Sequence, residues 1–184
     1  MIIFFGPAGS GKSVQGQILA ARHGWRWIST GQLLRDTHDA ELIHKMQSGA
    51  LAPVNLVNEI IKESLISAKD LDGVILDGYP RELDQAKWLV DTKTHHGRGI
   101  SLAIVLEVPR SEILDRLRVR GRVDDNPESI DKRLQIYRGE IYPILDYFND
   151  ENIPIVHMGG VGTVGEIHDK IEKELVDRGI VKSL

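Results

Sequence analysis

The chain has 184 residues, of which 41% are hydrophobic and 27% charged, and its formal net charge is −4. This composition is typical of a globular domain, and the length fits one core with at most a small inserted lobe. Because the chain has no cysteine, disulfide scaffolds, Cys-ligated zinc, iron–sulfur clusters and thiol catalysis are excluded. The slight acidity and the 5% aromatic content argue against a nucleic-acid partner.

The apolar N-terminal run ends at Gly6, which makes it too short for a secretory signal. No later apolar run is long enough to span a bilayer. We therefore expect a cytoplasmic protein without a membrane partner, whose first strand is buried.

Apolar runs alternate with helical patterns along the chain. Strands are predicted at residues 2–5, 25–28, 74–77, 102–108 and 154–157. Helices are predicted at residues 11–23, 31–49, 54–68, 82–94, 111–120, 128–149 and 164–178. This order implies an α/β fold with a parallel sheet covered on both faces by helices, and continuous apolar strands fit such a sheet. The helical stretch between the second and third strands is long for one crossover and suggests a small lobe.

The strongest motif is GPAGSGKS at residues 6–13, which fits the pattern G-x-x-x-x-G-K-[ST]. It follows the first predicted strand and opens a predicted helix, so backbone N–H groups and the helix N-terminus can surround phosphate oxygens. Lys12 would reach the β- and γ-phosphates, and Ser13 would meet Mg²⁺. The motif predicts a nucleoside triphosphate site but does not identify the acceptor.

A second phosphate-handling motif, DGYPR, occupies residues 77–81 at the end of a predicted buried strand. In open parallel sheets ligands bind at the carboxyl ends of strands, where Asp77 can hold Mg²⁺ or its waters. Arg81 can clamp a second phosphate group through two hydrogen bonds.

Arginines concentrate in one later stretch of the chain: Arg110, Arg116, Arg118, Arg120, Arg122, Arg133 and Arg138. Arginine suits charge stabilisation around a moving phosphoryl group because its planar fork donates several hydrogen bonds. Arg116 and Arg120 are spaced i, i+4 and share a helix face. For Arg110, Arg118 and Arg138 we favour a solvated basic face.

These motifs, in this order, resemble those of the adenylate kinase family of nucleoside monophosphate kinases. Residues 6–15 (GPAGSGKSVQ) are similar to the family's phosphate loop, and residues 29–35 (STGQLLR) to its monophosphate-binding segment. DGYPR together with Gln85 resembles the family's DGFPR…Q motif. Residues 122–126 (RVDDN) and 132–134 (KRL) resemble the border of its lid and the helix that follows.

The resemblance implies a P-loop three-layer α/β/α domain over residues 1–184 with a five-stranded parallel sheet. A helical monophosphate-binding lobe would occupy residues 30–59, and the lid would be reduced to residues 120–124. The implied reaction is reversible phosphoryl transfer from MgATP to AMP, giving two ADP, with Mg²⁺ as cofactor and no zinc. The partners would be ATP and AMP, and whether the chain is a monomer or a homo-oligomer stays open.

The resemblance also implies the site residues. The catalytic residues would be Lys12, Arg81, Arg120, Arg122 and Arg133. ATP would be bound by Gly9, Ser10, Gly11, Lys12, Ser13, Val14, Arg116, Arg120, Gly160, Val161 and Gly162. AMP would be bound by Thr30, Gly31, Arg35, Ala50, Leu51, Ala52, Gly78, Tyr79, Pro80, Arg81, Gln85, Arg122 and Arg133. Mg²⁺ would be held, mostly through water, by Ser13, Asp77, Asp124 and Asp125. The three aspartates would either hold these waters or orient the arginines.

Three features depart from the family pattern. Ser13-Val14 replaces the usual Gly-Thr after the lysine, so we hypothesise that Ser13 makes the phosphate or Mg²⁺ contact. Gln32 and Ala50 stand where Asp and Lys are common, which makes the monophosphate pocket less charged. Gly121 alone joins Arg120 to Arg122 where relatives carry a longer lid, so we expect a smaller conformational change on the ATP side than on the AMP side.

Two alternative functions stay open. A UMP or CMP kinase would share the phosphate-binding residues, but Thr30 and Gln85 favour adenine, because pyrimidine-specific relatives tend to carry Ala at the position of Thr30. A non-catalytic nucleotide sensor or an ATPase-type P-loop module is expected to lack the monophosphate arginines, whereas Arg35 and Arg81 are both present.

Overall fold

A single parallel sheet forms the centre of the molecule in the computed structural model, which describes residues 1–91, 97–122 and 125–182. Its strands are β1 (Ile2–Phe5), β2 (Arg26–Ser29), β3 (Val74–Asp77), β4 (Leu102–Glu107) and β5 (Ile155–Gly159). The strand order is β2-β3-β1-β4-β5, and every neighbouring pair is parallel. The predicted five-stranded parallel sheet is therefore confirmed.

Eight helices lie within the described residues. They are α1 (Lys12–His23), α2 (Thr30–Asp36), α3 (Ala40–Gln47), α4 (Val54–Ser67), α5 (Leu83–Asp91), α6 (Arg110–Arg120), α7 (Pro127–Asp150) and α8 (Val164–Asp177). None of them, in this described part of the chain, combines the length and the apolar character needed to cross a bilayer. Residues 92–94 of the helix predicted at 82–94 lie outside the described residues.

The side chains of β1 divide the core into two apolar layers. Ile2 and Phe4 belong to the cluster that also contains buried residues of α1 and α8. Ile3 and Phe5 belong to the cluster on the other face, with buried residues of α4, α5 and α7. Successive strand residues point to opposite faces, so a strand that is apolar throughout requires helices on both sides. The three-layer α/β/α arrangement follows from this pattern.

The prediction of one continuous helix at residues 31–49 is wrong, because two helices, α2 and α3, occupy this stretch. Between them His38 adopts a left-handed backbone with φ of 56°. Asp39 then caps α3, since its Oδ1 accepts a hydrogen bond from the Leu42 N–H over 3.0 Å. The helical apolar spacing continues across the break, so the spacing concealed it, and the capping aspartate was the available signal.

The sheet order places the two phosphate motifs beside each other. β1 and β3 are neighbours in register, with Phe4 opposite Asp77. The carboxyl end of β1 leads into the loop of residues 6–11, and the carboxyl end of β3 is Asp77 itself. Loops that follow adjacent parallel strands meet at one edge of the sheet, which is where open α/β folds bind ligands.

Candidate functional site

A cavity of about 670 Å³ opens at this carboxyl edge of the sheet. It is bounded by the loop after β1, the end of β3, α2 and arginines of α6 and α7. The predicted site residues that line it are Gly9, Gly11, Lys12, Ser13, Val14, Thr30, Gly31, Arg35, Ala50, Leu51, Ala52, Asp77, Gly78, Pro80, Arg81, Gln85, Arg116, Arg120, Arg122 and Arg133. Residues far apart in the chain therefore converge on one space.

The loop of residues 6–11 owes its shape to glycines. Gly6 has φ of 145°, and a Cβ there would lie 2.6 Å from Ser10 Oγ and 2.8 Å from the Leu106 carbonyl oxygen. Gly11 is the N-cap of α1, and no side chain among the described residues caps this helix. The first N–H groups of α1 are thus left for an anion, as at other phosphate-binding helix termini.

Lys12 reaches back across this loop. Its Nζ donates hydrogen bonds to the carbonyl oxygens of Gly6, over 2.6 Å, and Pro7, over 2.8 Å. Burial lowers the pKa of Lys12 from 10.5 to about 8; Asp77 opposes this shift, while Arg81, Arg120 and Arg133 add to it. The low pKa of Lys12 thus comes mainly from burial, and the smaller effects of three arginines place further positive charge near the loop, which is suited to polyphosphate.

Ser13 and Asp77 form a pair of oxygen ligands at the start of α1. The Ser13 hydroxyl donates a hydrogen bond to Asp77 Oδ2 over 2.6 Å, and Asp77 is 4% exposed. Hydroxyl and carboxylate oxygens beside a phosphate loop are the donor types that Mg²⁺ takes, together with waters and phosphate oxygens. The pair fits Mg²⁺ chemically. Asp124, predicted for the same role, lies outside the described residues.

Asp125 binds the arginines of the site. Its carboxylate accepts from Arg120 Nε over 2.8 Å, from Arg133 Nη2 over 3.2 Å and from the Arg122 backbone N–H over 3.1 Å. Burial works to raise the pKa of Asp125, but these hydrogen bonds outweigh it and lower that pKa. The Asp125 side chain is only 2% exposed. Of its two predicted roles, the geometry fits the orientation of arginines.

The predicted base-binding residues Thr30, Gly78 and Gln85 also line the cavity. Thr30 is 3% exposed, and its Oγ1 has no hydrogen-bond partner among the described residues. Gln85 Oε1 accepts from the Arg81 backbone N–H over 2.8 Å, which fixes the orientation of the amide. Gly78 has φ of 77°, and a Cβ there would lie 3.0 Å from Arg81 Nη2, so glycine leaves room for the guanidinium.

Several predicted residues do not line the cavity. The Tyr79 side chain is fully buried, and its hydroxyl donates to Asn58 Oδ1 over 2.8 Å, which makes it a packing residue. Gly160 contacts the site indirectly, because its carbonyl accepts from Arg116 Nη2 over 2.8 Å. Ser10, Val161 and Gly162 are likewise absent from the lining within the described residues, and a role of residues 160–162 at the ATP base stays a prediction.

Three arginines were predicted to form a solvated basic face, and none of them is among the described residues that line the cavity. Arg110 pairs with Asp131 over 2.6 Å, with both side chains half exposed, and Arg118 is mostly exposed beside Asp115. Arg138 is also exposed. On α6 and α7 these three arginines lie on other parts of the helix surface than Arg116, Arg120 and Arg133, which line the cavity.

Other lining residues were not predicted from the sequence: Trp27, Met46, Val57, Val119, Ile136, Tyr137 and Glu140. Along α7 the lining residues include positions 136, 137, 140, 141 and 144, which is the spacing of one helix face. That spacing was readable, and it shows that α7 supplies a wall of the cavity. Trp27 lies on the edge strand β2, two residues before the motif of residues 29–35 begins.

A sequence model of the family described as adenylate kinase matches residues 4–153. The chain belongs to the adenylate kinase family. Proteins named adenylate kinase are similar over nearly the whole length. The relative from Porphyromonas gingivalis is 35% identical over 176 residues, which cover 90% of each chain. The relative from Mycobacterium leprae is 36% identical over 172 residues, which cover 90% of this chain and 93% of its own. The relative from Bacteroides thetaiotaomicron is 36% identical over an alignment of 187 residues, which covers 96% of this chain and 98% of its own.

Membership of the adenylate kinase family confirms the resemblance inferred from the motifs and makes the chain a nucleoside monophosphate kinase. The phosphate loop, DGYPR and RVDDN all lie inside the segment matched by the adenylate kinase model, whereas residues 160–162 lie beyond it. In the described part of the chain, no group of three or more His, Cys, Asp or Glu is arranged to hold a metal ion.

Proposed function

We propose that the chain catalyses reversible transfer of the γ-phosphoryl group of MgATP to AMP, giving two ADP. The observation that carries this proposal is one shared cavity. Residues 11–14 of the phosphate loop line it together with Thr30, Arg35, Arg81 and Gln85, which are suited to a second nucleotide. A site that holds two nucleotides in one space fits phosphoryl transfer between them better than hydrolysis.

Different residues would bind the donor phosphates, the acceptor phosphate and the group in transfer. Phosphoryl transfer needs in-line alignment and compensation of negative charge rather than covalent chemistry by the protein. Lys12 and the N-terminus of α1 would hold the donor phosphates, and Arg35 and Arg81 would hold the phosphate of AMP. Arg120, Arg122 and Arg133 would stabilise the charge on the group in transfer.

Mg²⁺ would be held by Ser13 and, through water, by Asp77. Bound there, it would neutralise charge on the phosphate oxygens of ATP. The contact between Ser13 and Asp77 supports this assignment, because it already brings a hydroxyl and a carboxylate together beside Lys12. We leave Asp125 out of the Mg²⁺ site, since its oxygens are engaged by Arg120 and Arg133.

Adenine as the acceptor base is supported by Thr30 and Gln85. The buried Thr30 hydroxyl without a partner among the described residues offers a polar contact that a base would complete. Beyond its two bonds within the described residues, Gln85 has one lone pair on Oε1 and one N–H left for a ligand. Arg116 and residues 160–162 would lie near the base of ATP. A UMP or CMP kinase is the alternative that these same residues disfavour.

A coupled assay of ATP with AMP, UMP and CMP tests the proposal, with ATP hydrolysis measured in parallel without an acceptor. We expect AMP to give the highest kcat/KM and hydrolysis alone to be slow. Arg81→Ala should lower kcat/KM for AMP strongly, whereas Arg138→Ala, at an exposed position outside the lining, should leave it unchanged. Faster turnover with UMP or CMP would establish a pyrimidine kinase, and hydrolysis without transfer an ATPase.

A further inference from the structure

A buried hydrogen bond between two polar side chains lies beside the proposed acceptor residues. The Tyr79 hydroxyl donates to Asn58 Oδ1 over 2.8 Å. The Tyr79 side chain is fully buried, and Asn58 is 6% exposed. Neither is among the described residues that line the cavity. Because a buried polar group costs free energy when it is left unpaired, each of these two side chains depends on the other.

The Tyr79 hydroxyl also contacts the backbone of α5. Its oxygen lies 3.3 Å from the Gln85 carbonyl oxygen, a longer contact than the one with Asn58. A phenol has one proton, so the shorter contact with Asn58 holds it. Burial raises the pKa of Tyr79, and the hydroxyl therefore remains a donor throughout the ordinary pH range. The bond thus joins α4, which carries Asn58, to the loop between β3 and α5.

Helix α4 stands between the two parts of the proposed acceptor site. It packs against α2, which carries Thr30 and Arg35, and against α5, which carries Gln85. Val57, the neighbour of Asn58 on α4, lines the cavity itself. The position of α4 therefore sets how the acceptor residues of α2 lie relative to those that follow β3.

The loop that carries Tyr79 also fixes Arg81 and Gln85. The Arg81 backbone N–H donates to Gln85 Oε1 over 2.8 Å, and Arg81 Nε donates to the Gly78 carbonyl oxygen over 2.9 Å. The side chains of Arg81 and Gln85 are thus bonded to backbone groups within two residues of Tyr79. A displacement of Tyr79 would move both side chains with it.

We propose that Asn58 and Tyr79 are positioning residues for the acceptor nucleotide. Their hydrogen bond fixes the spacing between the acceptor residues of α2 and those that follow β3, although neither side chain lines the cavity. This spacing matters because a displacement of about 1 Å in the placement of a reactant can lower the rate about a hundredfold. The inference rests on the proposed function and adds to it two residues that act through Arg81 and Gln85.

A double-variant cycle separates positioning from stability. Tyr79→Phe leaves the Asn58 amide without its donor, and Asn58→Leu leaves the Tyr79 hydroxyl only its longer contact. Each single variant should lower Tm by about 2–8 °C. The Tyr79→Phe/Asn58→Leu double variant replaces both partners with apolar side chains of similar size, so its Tm should return to within about 2 °C of wild type. It also keeps the test available if a single variant fails to fold.

Acceptor kinetics should not recover together with Tm. At saturating ATP, we expect KM for AMP to rise about three- to tenfold in each single variant and to stay raised in the double variant, because all three lack the bond. KM for ATP should not change, since the bond lies outside the phosphate loop. A KM for AMP that returns to the wild-type value along with Tm would assign the bond to stability alone and overturn the proposal.

Asn55→Leu and Tyr142→Phe are the matched controls. They make the same substitutions at exposed positions of α4 and α7 that are not among the described lining residues, and both should keep the wild-type KM for AMP.

Calorimetric titration with AMP reads the same effect without turnover. If wild type binds AMP but transfers no phosphoryl group to it, the proposed function fails, and a raised Kd for AMP in the double variant still supports the positioning role. If AMP is phosphorylated and both KM and Kd for AMP equal those of wild type in every variant, only the positioning role of Asn58 and Tyr79 fails.

Discussion

The Ser13 hydroxyl donates a hydrogen bond to the Asp77 carboxylate over 2.6 Å, which joins the start of α1 to the carboxyl end of β3. Ser13 itself is exposed to the cavity, whereas Asp77 is buried. A hydroxyl held in this way is already in place for a ligand, because its donor hydrogen is engaged and its lone pairs are free.

Ser13→Ala should lower kcat/KM for MgATP about tenfold or more, since it removes an oxygen ligand worth about 1.5–3 kcal/mol when the partner is charged. Steady-state kinetics over a range of Mg²⁺ concentrations measure this effect. Ser13→Thr keeps the hydroxyl and should retain most of the activity. Kinetics of Ser13→Ala equal to those of wild type would refute a contact of Ser13 with the phosphates or Mg²⁺.

The pH dependence of ATP use should reflect Lys12, whose pKa in the folded protein is about 8. Below this pH the ammonium is charged and attracts phosphate, so kcat/KM for ATP should fall as the pH rises through 8. Stability of the free protein should move the other way. The unfolded chain keeps its Lys12 proton up to about pH 10.5, so this group makes the folded state more stable as pH rises from about 8 to 10.5.

A pH profile of kcat/KM for ATP checks the first expectation, and unfolding of the nucleotide-free protein at several pH values checks the second. Lys12→Arg stays charged throughout and should lose the inflection, at a lower level of activity. An inflection near pH 8 that survives in Lys12→Arg would assign it to another group.

Asp125→Asn should lower both stability and kcat. The substitution weakens the hydrogen bonds that hold Arg120 and Arg133, at an expected cost of about 1–3 kcal/mol in the free energy of unfolding. Asp131→Asn is the matched control, because its pair with Arg110 is half exposed and should contribute less than about 1 kcal/mol. Denaturant unfolding and kcat measurements compare the two, and equal effects would remove the special role of Asp125.

The ATP side of the site should move less than the AMP side when both nucleotides bind. Asp125 holds Arg120 and Arg133 through hydrogen bonds within the protein, so little rearrangement is needed to bring them in. Structures of the free protein and of a complex with a bisubstrate inhibitor measure the displacement. A large hinge motion within residues 116–128 is the result that would contradict this expectation.

His168 should make the protein less stable in mild acid. It is 6% exposed, and neither ring nitrogen has a hydrogen-bond partner among the described residues. Glu172 Oε2 lies 3.9 Å from Nε2, too far for a hydrogen bond. Burial lowers the pKa of His168 below 6.5 and Glu172 partly restores it, so the unfolded chain binds a proton more readily as pH falls below 6.5. His168→Leu should be neutral or stabilising and should flatten the decline in stability. Unfolding curves at pH 5 to 7 measure this, with the exposed His157→Gln as control.

Much of the fold was readable from the chain because its strands are continuous apolar runs. β1 and β3 have the predicted bounds, β4 ends one residue earlier than predicted, and β2 and β5 differ by one or two residues at both ends. The break at His38 was missed because a non-glycine residue with positive φ leaves no compositional mark. Local hydrogen bonds end α2 there, from the His38 N–H to the Arg35 carbonyl over 3.2 Å and from the Thr37 hydroxyl to the Leu34 carbonyl over 2.8 Å.

The phosphate-binding part of the site was readable for a different reason. Gly6, Lys12, Asp77 and Arg81 stand in short motifs whose spacing is set by local backbone geometry. Glu140 was missed, since it reaches the cavity only through the packing of α7 against α5. Asp125 was assigned two roles, and only the packing of its side chain against Arg120 and Arg133 separates them.

Trp27 lies at the edge of the cavity, packed so closely on α1 that a Cβ at Gly16 would stand 2.8 Å from its ring. Trp25 and Trp88 are the other two tryptophans, and neither is among the lining residues in the described ranges. Replacing both with phenylalanine would leave one indole beside the nucleotides. The fold thus provides its own fluorophore, whose emission would follow occupancy of the site in real time.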